Sequence, residues 1–396
     1  MTPISDPAIT ERVREVLPSA RADLERLVRI RSVSADPEAA AQVWASAGEV
    51  AALLRGAGLP VVDVVTAGDS RPAVLGSRPG PAGAPHVLLY AHHDVQPPGN
   101  PADWDSDPFE PVERDGRLFG RGTADDKAGV AVHLAALRSF PEGLPVGVTV
   151  LVEGEEEIGS PALPDFLSAY ADRLRADVVV FADAGNWSLD VPVPGLVRGT
   201  SASPELAEAQ FRAEAGLLDG VRLTGTGRLA DRLSAAPALA VIGIDAPPVA
   251  GAANTIVPVA RAKVSLRVAP GDDAEAARDA LAAYLLARAP WGAQVRVEAG
   301  RAAAPFTART GGRAYQVARS ALQAAWGAPA VLAGAGGSIP FVTAYAGLFP
   351  DAEILITGVE DPDTRAHGAN ESLHLPTFER ACLAEALLLR NLGEDG

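Results

Sequence analysis

Apolar runs that end in acidic or imidazole side chains constrain this chain more than any other feature. Leu88-Leu-Tyr-Ala-His-His-Asp94, Leu151-Val-Glu-Gly-Glu-Glu-Glu157 and Val178-Val-Val-Phe-Ala-Asp183 each carry a hydrophobic stretch straight into charge. Gly120-Arg-Gly-Thr-Ala-Asp-Asp-Lys127 and Ala366-His-Gly-Ala-Asn-Glu371 supply further acidic and imidazole groups. A hydrophobic strand ending in His, Asp or Glu puts a ligand at the rim of a sheet, where open α/β folds build their sites. Several such endings point to one composite site. Its hard oxygen and borderline nitrogen donors suit zinc or a similar divalent ion.

The chain has 396 residues, enough for two domains or one large α/β domain with an insertion. With 48% hydrophobic residues and a mean hydropathy of +0.12 it can fill a core. A net charge of −16 and a pI near 4.8 argue against nucleic acid or an anionic membrane as partner. The single cysteine, Cys382, excludes an internal disulfide framework and a thiolate metal cluster. It falls in a helical pattern over 377–390 and is expected to fill core. The first residues lack a basic stretch followed by an apolar run, and no apolar run reaches the ~18 residues of a membrane span. The expected location is cytoplasmic.

Apolar spacing predicts helices over roughly 9–30 and 37–57, then strands over 72–76, 86–91, 147–153 and 177–182, with a helix over 127–139. Strands alternating with helices indicate an α/β layer structure. Punctuation thickens around Val191-Pro-Val-Pro-Gly195. A second small unit is predicted beyond it, with a strand near 261–268, a helix near 272–288 and a strand near 293–298. Because metal-type residues return at His367, the first domain is expected to be discontinuous. Residues 1–198 and 301–396 would form it, with 199–300 inserted as a lid.

His92 and Asp94 alternate with His93 along an extended strand end, so both point to one side. That favours His92 as ligand and Asp94 as the carboxylate that fixes its tautomer. His93 either lines the cleft or faces the other way. Asp125 follows a glycine-rich approach that lets backbone come close to a cation, and Asp126 and Lys127 then open a helix. Adjacent Glu155, Glu156 and Glu157 repel one another and are costly at a buried strand end without cations. One glutamate can bind metal while its neighbour handles the proton of an activated water. Asp183 needs a partner for its charge, and a metal supplies one. His367 sits in a loop with Asn370 and Glu371 close by. His86 and His133 read as packing or surface residues.

In this order, these motifs resemble the M20 family of zinc metallopeptidases, specifically its dipeptidase and carnosinase-like branch. Gly336-Gly-Ser-Ile-Pro340 adds to the match. The resemblance implies a zinc-exopeptidase-like mixed sheet flanked by helices, with an inserted small α/β lid. It implies one zinc on His92, Asp125 and Asp183 and a second on Asp125, Glu157 and His367, with Asp125 bridging; manganese or cobalt also suits these ligands. Glu156 would be the general base and Asp94 would orient His92. Asn254 and Arg267 resemble lid motifs that contact substrate, Arg267 as a fork for a carboxylate. Gly336, Gly337 and Ser338 would offer backbone donors to the same end. The expected reaction is hydrolysis of dipeptides or similar small amides with a free carboxylate. The runners-up are an N-acyl-amino-acid deacylase or desuccinylase on the same metal core, and a catalytically impaired metal-binding scaffold.

One departure stands out. Relatives carry an Asp-x-His-Ser-Gly-like segment early in the lid, whose histidine stabilises the oxyanion, often from the partner subunit. Here no histidine lies between His133 and His367. The expectation is a shortened lid, a monomer or weak homodimer, and slowed turnover, since one lost oxyanion donor costs about 10²–10³ in kcat.

Overall fold

The computed structural model describes residues 6–186, 203–300, 302–334 and 339–394. The chain begins with helices α1 (Pro7–Val28) and α2 (Ala40–Gly56), strands β1 (Val61–Val65), β2 (Ala73–Arg78) and β3 (His86–His92), and the short strands β4 (Val112–Arg114) and β5 (Arg117–Phe119). Helix α3 (Lys127–Arg138), strand β6 (Gly147–Glu153), helix α4 (Leu163–Leu174) and strand β7 (Val178–Phe181) follow. The middle holds helices α5 (Glu208–Glu214) and α6 (Leu229–Ser234), strands β8 (Ala238–Asp245) and β9 (Arg261–Arg267), and helix α7 (Ala274–Ala287). The chain closes with α8 (Arg313–Trp326), α9 (Pro340–Leu348), β10 (Glu353–Ile356), β11 (Ser372–His374) and α10 (Leu375–Gly393).

The main sheet runs β1-β2-β6-β3-β7-β10. Strands β6, β3, β7 and β10 are mutually parallel, while β2 is antiparallel to β6 and β1 to β2. Residue alternation divides the core between its faces. Val87, Leu89, Ala91, Val150, Val152 and Val180 pack under α1, α2, α3, α8 and α10. Leu88, Tyr90, Leu151, Val179 and Phe181 pack under α4 and α9 with Phe166, Phe341 and Tyr345. Covered on both sides, the parallel strands read as unbroken hydrophobic runs. Their charged ends all emerge at one rim because the four strands run the same way.

The middle segment is thinner. β8 and β9 form a two-stranded antiparallel sheet, every residue of β8 is exposed, and Ala274 is the one buried residue of α7. The strand expected over 293–298 does not form: this stretch has no regular structure. The sheet of this middle segment consists of β8 and β9 alone among the described residues, so Val295, which is exposed, has no apolar face to cover. No helix among the described residues is long and apolar enough to cross a membrane.

Candidate metal centre

The rim gathers the predicted residues from the ends of three strands, the start of one helix and one loop. His92 is the last residue of β3 and pairs in register with Glu153 of β6. Glu156 and Glu157 lie in a single 3₁₀ turn just beyond β6, and Asp183 lies two residues beyond β7. Asp125 precedes α3, and His367 sits in the loop after β10 with a left-handed φ of 63°. A non-glycine residue holds that conformation only where its surroundings impose it, which happens most often at functional sites.

Asp125 is the centre of the arrangement. Its Oδ1 lies 3.1 Å from His92 Nε2, which is 3.9 Å from Asp183 Oδ2. Its Oδ2 lies 2.8 Å from His367 Nε2, which is 3.2 Å from Glu157 Oε2. Thus one carboxylate turns an oxygen to each of two triads, His92–Asp125–Asp183 and Asp125–Glu157–His367, whose donor atoms lie within 4.8 Å of one another. Ligands about 2.0–2.1 Å from a tetrahedral zinc stand roughly 3.3 Å apart, so these separations fit an ion at the middle of each triad.

The electrostatics make the same demand. Burial first, then the Asp125 and Glu157 carboxylates, push Asp183 up to about 7 against the pull of His92 and His367. Burial and the carboxylates of Asp183, Glu153 and Glu157 push Glu156 up to about 9. Contacts with Asp125 and Glu157 push His367 up to about 11. Without a cation these carboxyls hold on to protons; a divalent ion replaces the protons and lets the carboxylates ionise.

Surrounding residues hold this geometry. His92 Nδ1 faces the Asp94 carbonyl at 3.1 Å and its Oδ1 at 3.4 Å, leaving Nε2 for the triad. The same Asp94 carboxylate accepts from the backbone N–H of Glu156 at 3.3 Å and of Glu157 at 3.1 Å. Asp94 therefore ties the imidazole to the glutamate turn. Gln96 fixes the Glu157 carboxylate through its backbone N–H at 3.0 Å and its Nε2 at 2.8 Å.

Glu371 is fully buried and organises the approach to Asp125. It accepts from Arg121 Nη1 at 2.5 Å and from the backbone N–H groups of Gly122, Ala124 and Asp125. Its place in Ala366-His-Gly-Ala-Asn-Glu371 was the available signal, but only the fold brings it beneath the loop at 120–125. Asp126 caps α3 at Gly129 N–H and accepts from His92 N–H at 3.2 Å. Lys127 turns inward, where its Nζ donates to the Leu27 and Ile30 carbonyls at 2.8 and 2.7 Å and closes the end of α1.

Several expectations resolve differently. His93 points away from the triads: its Nε2 lies 2.9 Å from the Pro72 carbonyl, and burial lowers its pKa to about 4. Glu155 is structural, its carboxylate accepting from Arg71 and Ala162 N–H at 2.9 and 2.8 Å. Asn254 lies in an exposed bend. Arg267 ends β9 and lines a cleft of the middle segment with Arg278, Val264 and Phe306. Among the described residues no hydrogen bond or ion pair joins either to the triads. Gly336, Gly337 and Ser338 lie outside the described residues. Conversely, Glu360 was missed: its pKa is raised first by burial and then by Asp125, Asp183 and Glu371.

Residues 88–391 match the model of peptidase family M20/M25/M40. The chain belongs to this family. It is thus a metallopeptidase in which the two triads are the candidate metal sites. A cysteinylglycine-S-conjugate dipeptidase of Corynebacterium striatum is 35% identical over 434 residues, covering 94% of this chain and 95% of the relative. Since 94% of 396 residues is about 372, roughly 60 aligned positions of that relative have no counterpart here. A succinyl-diaminopimelate desuccinylase of Gluconacetobacter diazotrophicus is 32% identical over 238 residues, 52% of this chain and 54% of the relative. The fold is that of human carnosine dipeptidase 1 (TM-score 0.83, 19% identity) and of the Saccharomyces cerevisiae dipeptidase Dug1p (0.82, 20%), each covering 98% of both chains.

Proposed function

We propose that this enzyme hydrolyses the amide bond of dipeptides using two divalent metal ions, zinc by donor type. His92, Asp125 and Asp183 would hold one ion, and Asp125, Glu157 and His367 the other. The observation that carries this reading is the Asp125 carboxylate, with one oxygen turned to each triad. The near-full-length likeness to a dipeptidase supports the substrate class.

Two such ions acidify water and polarise the scissile carbonyl. The proton passes through Glu156. Its half-buried carboxylate stands next to the ligand Glu157 in the same turn, placed to accept a proton from water and return it to the leaving amine. Asp94 acts through His92 and the glutamate turn. It holds the imidazole in one tautomer, and its grip on the Glu156 and Glu157 N–H groups keeps base and ligand in fixed relation.

The catalytic unit is residues 1–198 with 301–396, and 199–300 form the lid. From it Arg267 and Asn254 would reach the substrate once the lid closes, with Gly336, Gly337 and Ser338 binding the carboxylate end. We assign the roughly 60 positions that this chain lacks against the Corynebacterium striatum relative to a shortened lid. The enzyme is proposed to work as a monomer or weak homodimer in the cytoplasm, without nucleic acid or membrane. A dimer mass that does not change with concentration would contradict the association state.

The test is turnover of a small dipeptide panel by metal-free protein titrated with Zn²⁺ or Mn²⁺ while bound metal is counted. Turnover rising as the second equivalent binds supports the proposal. Turnover in metal-free protein refutes it.

A further inference from the structure

Glu360 is a carboxylate beside the triads for which metal binding and proton transfer supply no task. Its backbone bridges to Gly185, two residues past Asp183: Asn186 N–H donates to the Glu360 carbonyl at 2.8 Å and Glu360 N–H to the Ala184 carbonyl at 3.4 Å. The side chain lies back along that segment, since a Cβ built on Gly185 would stand 3.7 Å from Glu360 Oε2. Gly185 stands two residues past Asp183, so the Glu360 carboxylate lies on the Asp183 side of the triads, close enough to feel the charges of Asp125, Asp183, Glu371 and His367. Its neighbour Asp361 is neutralised by Arg117 at 2.8 Å. Glu360 itself forms no side-chain hydrogen bond or ion pair among the described residues, and it belongs to neither triad.

A largely enclosed carboxylate without a partner is costly and calls for a cation. The metals do not meet that need. Glu360 belongs to neither triad, and its carboxylate stands beside Gly185 on the Asp183 side of the centre. A dipeptide brings one complementary group, the α-ammonium next to its scissile carbonyl. An N-acyl substrate brings none, and an N-succinyl substrate brings a second negative charge.

We propose that Glu360 receives the free α-ammonium of the substrate and thereby selects dipeptides over N-acylated amino acids and peptides. This rests on the dipeptidase reading and deepens it. Glu360 would separate this enzyme from desuccinylases that share its family.

The test compares metal-loaded wild type and Glu360→Gln on alanyl-glycine, N-acetyl-alanyl-glycine and N-succinyl-alanyl-glycine, with bound metal counted in both. The expected result is a KM for alanyl-glycine raised about 10- to 100-fold, as befits a lost hydrogen bond to a charged group. kcat, the rate on the N-acetyl substrate and the metal content should stay as they were, the N-succinyl substrate should be cleaved at least as fast as by wild type, and Glu360→Asp should restore part of the discrimination. A parallel fall on all three substrates, or loss of metal, would overturn the assignment and make Glu360 a structural residue or a ligand. Wild-type protein that cleaves acylated substrates but not alanyl-glycine would defeat the dipeptidase reading itself, before any variant is made.

Discussion

The rim of the main sheet and the β8–β9 sheet of the middle segment are built on opposite principles. At the rim, every proposed ligand but His367 adjoins a strand or helix of the packed main layer, and buried groups such as Asp94 and Glu371 fix the turns between them. In the middle segment, among the described residues, the apolar strand β8 has one neighbour and no covered face: Leu239, Val241, Ile242 and Ile244 are all more than half exposed. Precision of placement comes from burial and shared hydrogen bonds, so the rim can hold buried carboxylates in fixed positions that the exposed β8–β9 sheet could not. The difference predicts where substitutions will hurt.

The largest effect should fall on Asp125. Asp125→Asn keeps the shape but weakens both triads at once, so bound metal and turnover should vanish together; one metal retained with activity would break the bridging assignment. Next, Glu156→Gln should leave metal content intact and lower kcat by about 10²–10⁴, the range of a general base. Lost metal in that variant would mean the roles of Glu156 and Glu157 are reversed.

Smaller effects concern stability. Lys127→Met leaves the Leu27 and Ile30 carbonyls without their buried donor and should cost about 1–3 kcal/mol in denaturant unfolding. At the other extreme, Ile244→Lys on the 70% exposed position of β8 should change stability by less than about 0.5 kcal/mol. A large loss there would mean that β8 is covered in solution.

A further test of the main core uses pH. His133 Nδ1 lies 2.7 Å from Glu385 and Nε2 lies 3.0 Å from the Tyr90 carbonyl, so both nitrogens face acceptors. Burial opposes its charge, but Glu385 and the carbonyl outweigh it and its pKa is raised. The stabilisation is therefore fully present below the unfolded imidazole value of about 6.5 and is lost as pH climbs through the raised value. The stability gap between wild type and Glu385→Gln should narrow on going from pH 6 upward. A gap that widens would mean the pair is not charged as drawn.

What could be read beforehand followed the same division. β3, β6 and β7 were legible because strands buried on both faces are continuous apolar runs, and the charges that end them marked the rim. The hairpin of β4 and β5 has three-residue strands, too short to show a period, and the exposed β8 lacks the polar alternation that would have marked it. The two sides of His93 were undecidable until Pro72 was seen to cover one of them. Glu360 and Lys127 were invisible as site and core residues because their roles depend on segments far apart in sequence.

The most direct test of the central claim is anomalous diffraction at the zinc edge from crystals of the metal-loaded enzyme. The account predicts two peaks about 3.5–4 Å apart, one on either side of the Asp125 carboxylate. A single peak, or a pair that Asp125 does not bridge, would contradict it.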